Sequence, residues 1–556
     1  MSSRDQVLRH VLRTIIPWRR SALALVLVGL SVAVGAAVAY QSGGQATSSQ
    51  AASSQAASST VALRSNQSQA IIEENALTGS AGWILTPQTV ATKEIQAYAS
   101  AASASPGQSL TFYTSVKQDG TPYQVDIYRL GWYGGLGGRL LSTSRHVGEF
   151  QGNYDPVAKK IIDCRTCRTD SSTGLAEANW HPSFQLTVPP TWVSGVYMAK
   201  FTDDQGSRTY TTFDVRGRPD SQYIVVTPDT TVAAYNQWGG YSLYRGPTDT
   251  SATRAVKVSL DRPLEAEGAG QGLPYWINSI RWLESQGYNV SYMSDIDLHE
   301  HPDQLLKHRA YISLGHDEYW TKEMRDGVEH ARNSGVGLAF LDADAASWQM
   351  RFEPDSLGAQ DRTVVCYKDA TSDPLFGRDN SRVTTKWRDN PVNRPENALI
   401  GIMYSSYSDG GTGFPWHLTA TSANLPLLRE TGLRAGQQYG CAFVGYEWDR
   451  IFDNGATPAG LQVVSTSSTR PTTGTEEGGS PPTSASDVSN TTYYIAQSGA
   501  LVFATGSIYW SFSLDSLRLA PVGPCAQQDR AVPEMQRLMA NVMDALVVQH
   551  PQHQSA

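Results

Sequence analysis

The strongest constraint on the fold is the stretch from Ala310 to Trp320. A short apolar run, Ala310 to Leu314, stops at Gly315, and His316-Asp-Glu-Tyr-Trp320 follows at once. Thr321 to Ser334 then reads as a helix. Apolar strand, glycine turn, reactive side chains and helix is the arrangement by which α/β enzymes place chemistry at the carboxyl end of a parallel strand. Around it, Tyr223–Thr227, Asn289–Met293, Gly337–Leu341 and Leu501–Thr505 are further apolar runs of strand length. Residues 276–286, 302–307 and 532–548 alternate with them as helices, which predicts a parallel sheet covered on both faces.

Upstream the period changes. Leu110–Val116, Tyr123–Arg129, Ser183–Val188, Gly195–Phe201 and Tyr210–Val215 are short β-type runs separated by turns such as Gln118-Asp-Gly-Thr-Pro122. They predict an immunoglobulin-like β-sandwich. Gly131–Gly138 is glycine-rich but lacks the strand–turn–helix context of a phosphate loop.

Ser21 to Tyr40 carries no charge, and twenty helical residues span about 30 Å, the thickness of a bilayer core. Arg4, Arg9, Arg13, Arg19 and Arg20 precede it, and no Lys or Arg follows before Arg64. This predicts a transmembrane anchor over 21–40, a basic cytoplasmic segment over 1–20, and an extracytoplasmic bulk. Cleavage after Ala37-Val-Ala39 would make the chain secreted instead. Residues 41–75, with SSQAASSQAASS, read as a flexible linker. The expected order is then a β-sandwich over 76–218 and an α/β domain over 219–556, with 465–490 a disordered Ser/Thr/Pro/Gly insertion. A net charge of −8 without a long basic run disfavours nucleic acid as a partner. Cys164 and Cys167 suggest a local disulfide, while Cys366, Cys441 and Cys525 are scattered.

Several motifs can carry chemistry. His316, Asp317 and Glu318 are candidate catalytic residues, since an imidazole beside carboxylates suits general acid–base work. A helix cap accounts for one of these acids, not for all of them. Tyr235-Asn-Gln-Trp-Gly-Gly-Tyr-Ser-Leu-Tyr244 supplies Tyr235, Asn236, Trp238 and Tyr244 as pocket candidates, joined by Trp320 and Arg351. His299-x-His301 reads as a solvated loop, and Glu447, Asp449 and Arg450 as an ion-pair network. There is no G-x-S-x-G elbow, H-E-x-x-H pair or Walker loop.

Taken in order, Tyr235-Asn-x-Trp-Gly-Gly-x-Ser-Leu-Tyr244, Arg281-Trp-Leu-Glu284, Ser294-Asp-x-Asp297, Gly315-His-Asp-Glu-Tyr-Trp320, Arg394-Pro-Glu-Asn-Ala-Leu399 and Gly445-Tyr-Glu-x-Asp-Arg450 make a recognisable set. The chain resembles the C-terminal domain of the N,N-dimethylformamidase large (β) subunit-like family over roughly 221–548. The resemblance implies a class I glutamine-amidotransferase-like α/β fold and hydrolysis of an amide-like C–N bond. It also implies a mononuclear iron held by two tyrosines and a glutamate, and a separate small subunit. On this resemblance Tyr319 and Tyr275 match the tyrosines, and Glu396 and Glu447 are the glutamates on offer. Two departures stand out: residues 364–383 contain no Glu where the family has its ligand, and Asp317 replaces the family's Pro. The expected substrate is a small or envelope-derived molecule. The competing expectations are a metal-free hydrolase using His316 and Glu318, and a non-catalytic surface protein binding a ligand or glycan.

Overall fold

The structure is a computed structural model that describes residues 63–550, apart from 218, 249, 266–271, 409–411, 423, 473–485, 520–522 and 549. At its centre is a seven-stranded sheet in the order Val290–Ser294, Tyr223–Thr227, Ala310–Gly315, Gly337–Asp342, Leu501–Ala504, Asp487–Ile495, Gln462–Thr469. The first five strands are parallel and the last two antiparallel. Tyr223-Ile-Val-Val-Thr227 is buried along its whole length, as a strand covered on both faces must be. On one face lies the helix Leu273–Ser285, whose Trp276, Ile277, Ile280 and Leu283 enter the core beside the helix Pro533–Leu546. Gly287, at φ 68°, ends the first of these helices in the left-handed turn that glycine adopts without strain. The helix Lys322–Asn333 covers the other face.

Two further sheets face each other across a separate apolar cluster that includes Ile95, Phe112, Val125, Phe201 and Phe213. One has three strands, Ile95–Ala99, Ser109–Val116 and Phe184–Thr187. The other has five, including Arg208–Val215, Gly195–Asp203, Pro122–Leu130 and Gly138–Val147. This part is not insulated from the central sheet. Tyr128, Val196, Met198 and Tyr210 share a core with Trp276 and Leu283. Arg129 and Glu284, both with fully buried side chains, form an ion pair at 2.7 Å across the same boundary.

The fold class expected from sequence is corrected. The molecule is a mixed α/β structure of eight sheets among the described residues, four of them two-stranded; the paired sheets and the covered central sheet are two parts of it, and the expected membrane helix is not supported. No described helix is long and apolar enough to cross a membrane. Even the 14 residues of Pro533–Leu546 span only about 21 Å, short of the roughly 30 Å needed. The stretch 21–40 lies outside the described residues, as do 1–20 and 41–62, and the single-pass location that rested on it is not supported by the structure. Residues 69–75, read as the end of a linker, form a helix held by Glu74 to Arg139 and by Asn75 to Glu284. Both ends of the segment 465–490 are strand: Thr466, Ser467 and Ser468 pair with Asn490, Ser489 and Val488. Polar β-branched composition is compatible with a ladder once a neighbouring sheet supplies partners. Cys164–Cys167 and Cys441–Cys525 are disulfides, and Cys366 is free and buried.

Candidate active site

The order of the central sheet reverses between Tyr223–Thr227 and Ala310–Gly315, and such a switch point opens a crevice at the carboxyl ends of the strands. Gly315, at φ 67°, turns the chain there, and a Cβ at this position would stand 3.0 Å from that of Trp276. The chain does not pass straight into a helix. Tyr319–Thr321 first forms a short strand beside Trp348–Glu353. Thr321 then caps the helix by accepting from the Met324 N–H, so neither Asp317 nor Glu318 serves as the cap.

His316 Nε2 lies 3.3 Å from a carboxylate oxygen of Glu318 and 3.3 Å from one of Glu447. All three residues are 1% exposed. The other oxygen of Glu318 accepts a hydrogen bond from the Tyr244 hydroxyl. Tyr235 stacks on Tyr244 with ring centres 4.2 Å apart, and its centre is 5.2 Å from that of His316. On the far side, the Tyr446 hydroxyl is 3.5 Å from His316 Nδ1. The Lys368 ammonium rests 3.3 Å from the centre of the Tyr244 ring and also faces Trp348. Asp344, from the turn after Gly337–Asp342, completes the group: one ligand atom from each of His316, Asp344 and Glu447 lies within 4.8 Å of the others. Its backbone is left-handed, at φ 56°, and its N–H donates to Asp449 at 2.8 Å.

This array separates the titration of its members. Burial opposes charge on His316, but Glu447 and Glu318 outweigh burial and hold the imidazole well above its ordinary range. Burial also works against the Glu318 carboxylate, yet His316, Lys368 and Tyr244 bring it below the usual value. Glu447 is raised by burial, against the pull of His316. Asp344 is raised well above the carboxylate range by burial and then by repulsion from Glu318 and Glu447.

Not every residue singled out in the sequence joins the site. Asp317 points beneath the turn, where it accepts from Ser313 at 2.9 Å and from the Trp320 indole at 2.8 Å. Tyr319 is buried and its ring packs edge-on to Tyr244. Tyr275 packs on Tyr446 and Tyr509, and Tyr446 in turn packs edge-on to His316. Glu396 is an ion-pair partner of Arg388 at 3.0 Å, and Arg351 pairs with Asp373 at 2.7 Å. Asn236 donates to the Pro263 carbonyl, and the Trp238 indole donates to Gln96. His299 caps nothing and binds Thr321 at 2.9 Å; the segment Asp295–Glu300 is a helix with its own capping box, not a loop. Of the residues offered for the two-tyrosine, one-glutamate set, Glu447 lies against His316 and Tyr319 against Tyr244, while Tyr275 packs on Tyr446 and Glu396 is paired with Arg388. Asp344, Lys368 and Tyr446 were missed. Asp344 had a signal available, because it follows the fourth parallel strand at the same sheet edge.

Among solved structures, similarity extends to Spo0M, a sporulation control protein from Bacillus subtilis, at 11% identity and a TM-score of 0.14, covering 24% of this chain and 52% of that one. It extends also to a Paenibacillus sp. cycloisomaltooligosaccharide glucanotransferase complexed with cycloisomaltoheptaose, at 10% identity and a TM-score of 0.16, covering 47% and 56%. The chain thus spans about half the length of each, and neither likeness carries a functional argument. No curated protein matches significantly. The family model described as N,N-dimethylformamidase beta subunit-like, C-terminal, matches residues 124–527, which include every residue of the site above, and the chain belongs to that family.

Proposed function

We propose that the chain is a hydrolase of small amides, cleaving a C–N bond at the His316–Glu318–Glu447 array. One observation carries this reading: a buried imidazole sits 3.3 Å from each of two carboxylates at the switch-point edge of a parallel sheet. Glu318 is the carboxylate held ionised, and Tyr244 fixes its orientation. It takes a proton from a water that attacks the carbonyl carbon. The proton then passes from Glu318 to the nitrogen as the C–N bond breaks, giving an acid and an amine. Positive charge at His316 offsets the charge that develops on the carbonyl oxygen, and a water-poor site strengthens that effect. The half-buried rings of Tyr235, Tyr275 and Tyr446 mark the side from which a small substrate reaches His316. No step is assigned to iron.

The test is amine release from a panel of N-alkyl formamides and acetamides by the purified full-length protein and by Glu318→Gln. Hydrolysis of at least one amide, lost in the variant with the fold intact by circular dichroism, supports the reading. No hydrolysis across the panel, or full activity in Glu318→Gln, overturns it.

A further inference from the structure

Polar atoms buried without a hydrogen bond at this centre include His316 Nε2, Glu318 Oε2, the Tyr319 hydroxyl, Asp344 Oδ1 and Glu447 Oε2. Native proteins leave few such atoms, and a group of them aimed at one point calls for a missing partner. A proton on His316 serves the point poorly, since Nε2 lies 3.3 Å from both glutamates and out of line with either. The Lys368 ammonium lies beside the group, over the Tyr244 ring.

We propose that His316, Asp344 and Glu447 bind a divalent first-row metal ion, with Glu318 beside it. Three donor atoms no more than 4.8 Å apart have a common centre at most 4.8/√3, or about 2.8 Å, from each. That is roughly 0.6 Å longer than a bond from zinc to nitrogen or oxygen, a gap that side-chain rotation closes. The three donors come from separate segments: the turn after Ala310–Gly315, the turn after Gly337–Asp342, and the strand Glu447–Arg450. The Asp449 carboxylate holds the Asp344 backbone from behind, and Tyr446 lies on the far nitrogen of His316, the kind of outer support that metal ligands receive. One imidazole with carboxylates suits zinc, manganese or ferrous iron rather than a thiophilic ion. This donor set differs from the two tyrosines and a glutamate expected from the family resemblance: His316 and Asp344 stand in place of the tyrosines. When bound, the ion supplies the positive pole beside Glu318, and His316 acts as a neutral ligand. The site is taken to be the reaction centre of the preceding section, but ion binding is measured without turnover.

The experiment strips the full-length protein with a chelator and titrates it separately with Zn²⁺, Mn²⁺ and anaerobic Fe²⁺. Bound metal is read by mass spectrometry and stability by the Tm. Close to one ion per chain and a raised Tm are expected for at least one ion. Asp344→Asn and Glu447→Gln, near-isosteric changes, should each reduce bound ion more than tenfold and abolish the Tm rise. His299→Gln, which alters a histidine near Glu323 and Asp361, should bind as the wild type does. Less than a tenth of an ion per wild-type chain with all three metals overturns the proposal, and so does stoichiometric binding that survives both carboxylate changes. Should the variants fail to fold, visible absorption of the Co²⁺-loaded wild type decides: intensified tetrahedral or five-coordinate bands support the site, and the spectrum of aqueous Co²⁺ overturns it. Ion bound without amide turnover defeats only the proposed reaction. Amide turnover by a wild-type chain that takes up none of the three ions defeats only the metal site.

Discussion

Two buried charge clusters invite comparison. At the boundary between the paired sheets and the central sheet, Glu284 has every lone pair occupied. One oxygen accepts from Arg129 at 2.7 Å and Tyr292 at 3.1 Å, and the other accepts from Arg129 and Asn75, both at 2.7 Å. At the sheet edge, His316, Glu318, Asp344 and Glu447 are buried as deeply, yet each keeps an atom without a hydrogen bond. Burial alone does not separate a joint from a reaction centre. The state of the carboxylates does: Glu284 is fully accepted although Arg129 Nε beside it lacks a hydrogen bond, whereas each carboxylate at the sheet edge keeps an oxygen with capacity for a ligand.

The comparison breaks first if the Arg129–Glu284 pair proves dispensable. Arg129→Ala leaves a buried, uncompensated carboxylate, and we expect a loss of about 3–5 kcal/mol in urea unfolding. A loss below about 1 kcal/mol would show that this pair is no joint. The opposite pattern is expected for Glu318→Gln: amide turnover falls by about 10²–10⁴, as for removal of a general base, while the Tm stays within a few degrees. A large Tm drop with turnover retained would move Glu318 to the structural side.

A third carboxylate sharpens the distinction. Burial pushes Asp229 up to about 7, against the hydrogen bond from Thr227 and aided by repulsion from Asp297. Between its ordinary value of 3.8 and about pH 7, the folded state keeps a proton that the unfolded chain has released. Stability should therefore fall as pH rises through that window and level off above it. Asp229→Asn, which still accepts from Thr227, should remove that slope and gain roughly 2–4 kcal/mol over wild type at pH 8. Parallel stability–pH curves for the two proteins would contradict this. The smallest effect is expected at the helix cap, where Thr321→Ala should cost about 1 kcal/mol. Much more than that, with turnover lost, would tie the cap to the site rather than to the helix alone.

The strands of the central sheet were legible because parallel strands buried on both faces leave near-continuous apolar runs, as in Tyr223–Thr227 and Ala310–Gly315. Short local signals served less well. Asp295–Glu300 looked like a polar loop, but the Ser294–Asp297 capping box makes it a helix. Ser465–Thr469 looked disordered because composition does not reveal that Asp487–Asn490 lies opposite. His316 and Glu318 could be found as candidates, since they crowd the turn after a strand. Asp344, Lys368 and Tyr446 could not be joined to them without the positions of other segments.

The sequence by itself determined the alternation of strand and helix, the turn at Gly315 and the residue types available at the sheet edge, because these depend on near neighbours and on periodicity. Tertiary structure alone decided that Asp317 turns under the sheet while Glu318 faces His316, that Glu396 is paired by Arg388, and that Glu447 arrives from some 130 residues away. Proximity across the chain is set by strand order and by inserted sheets, and no local pattern encodes it.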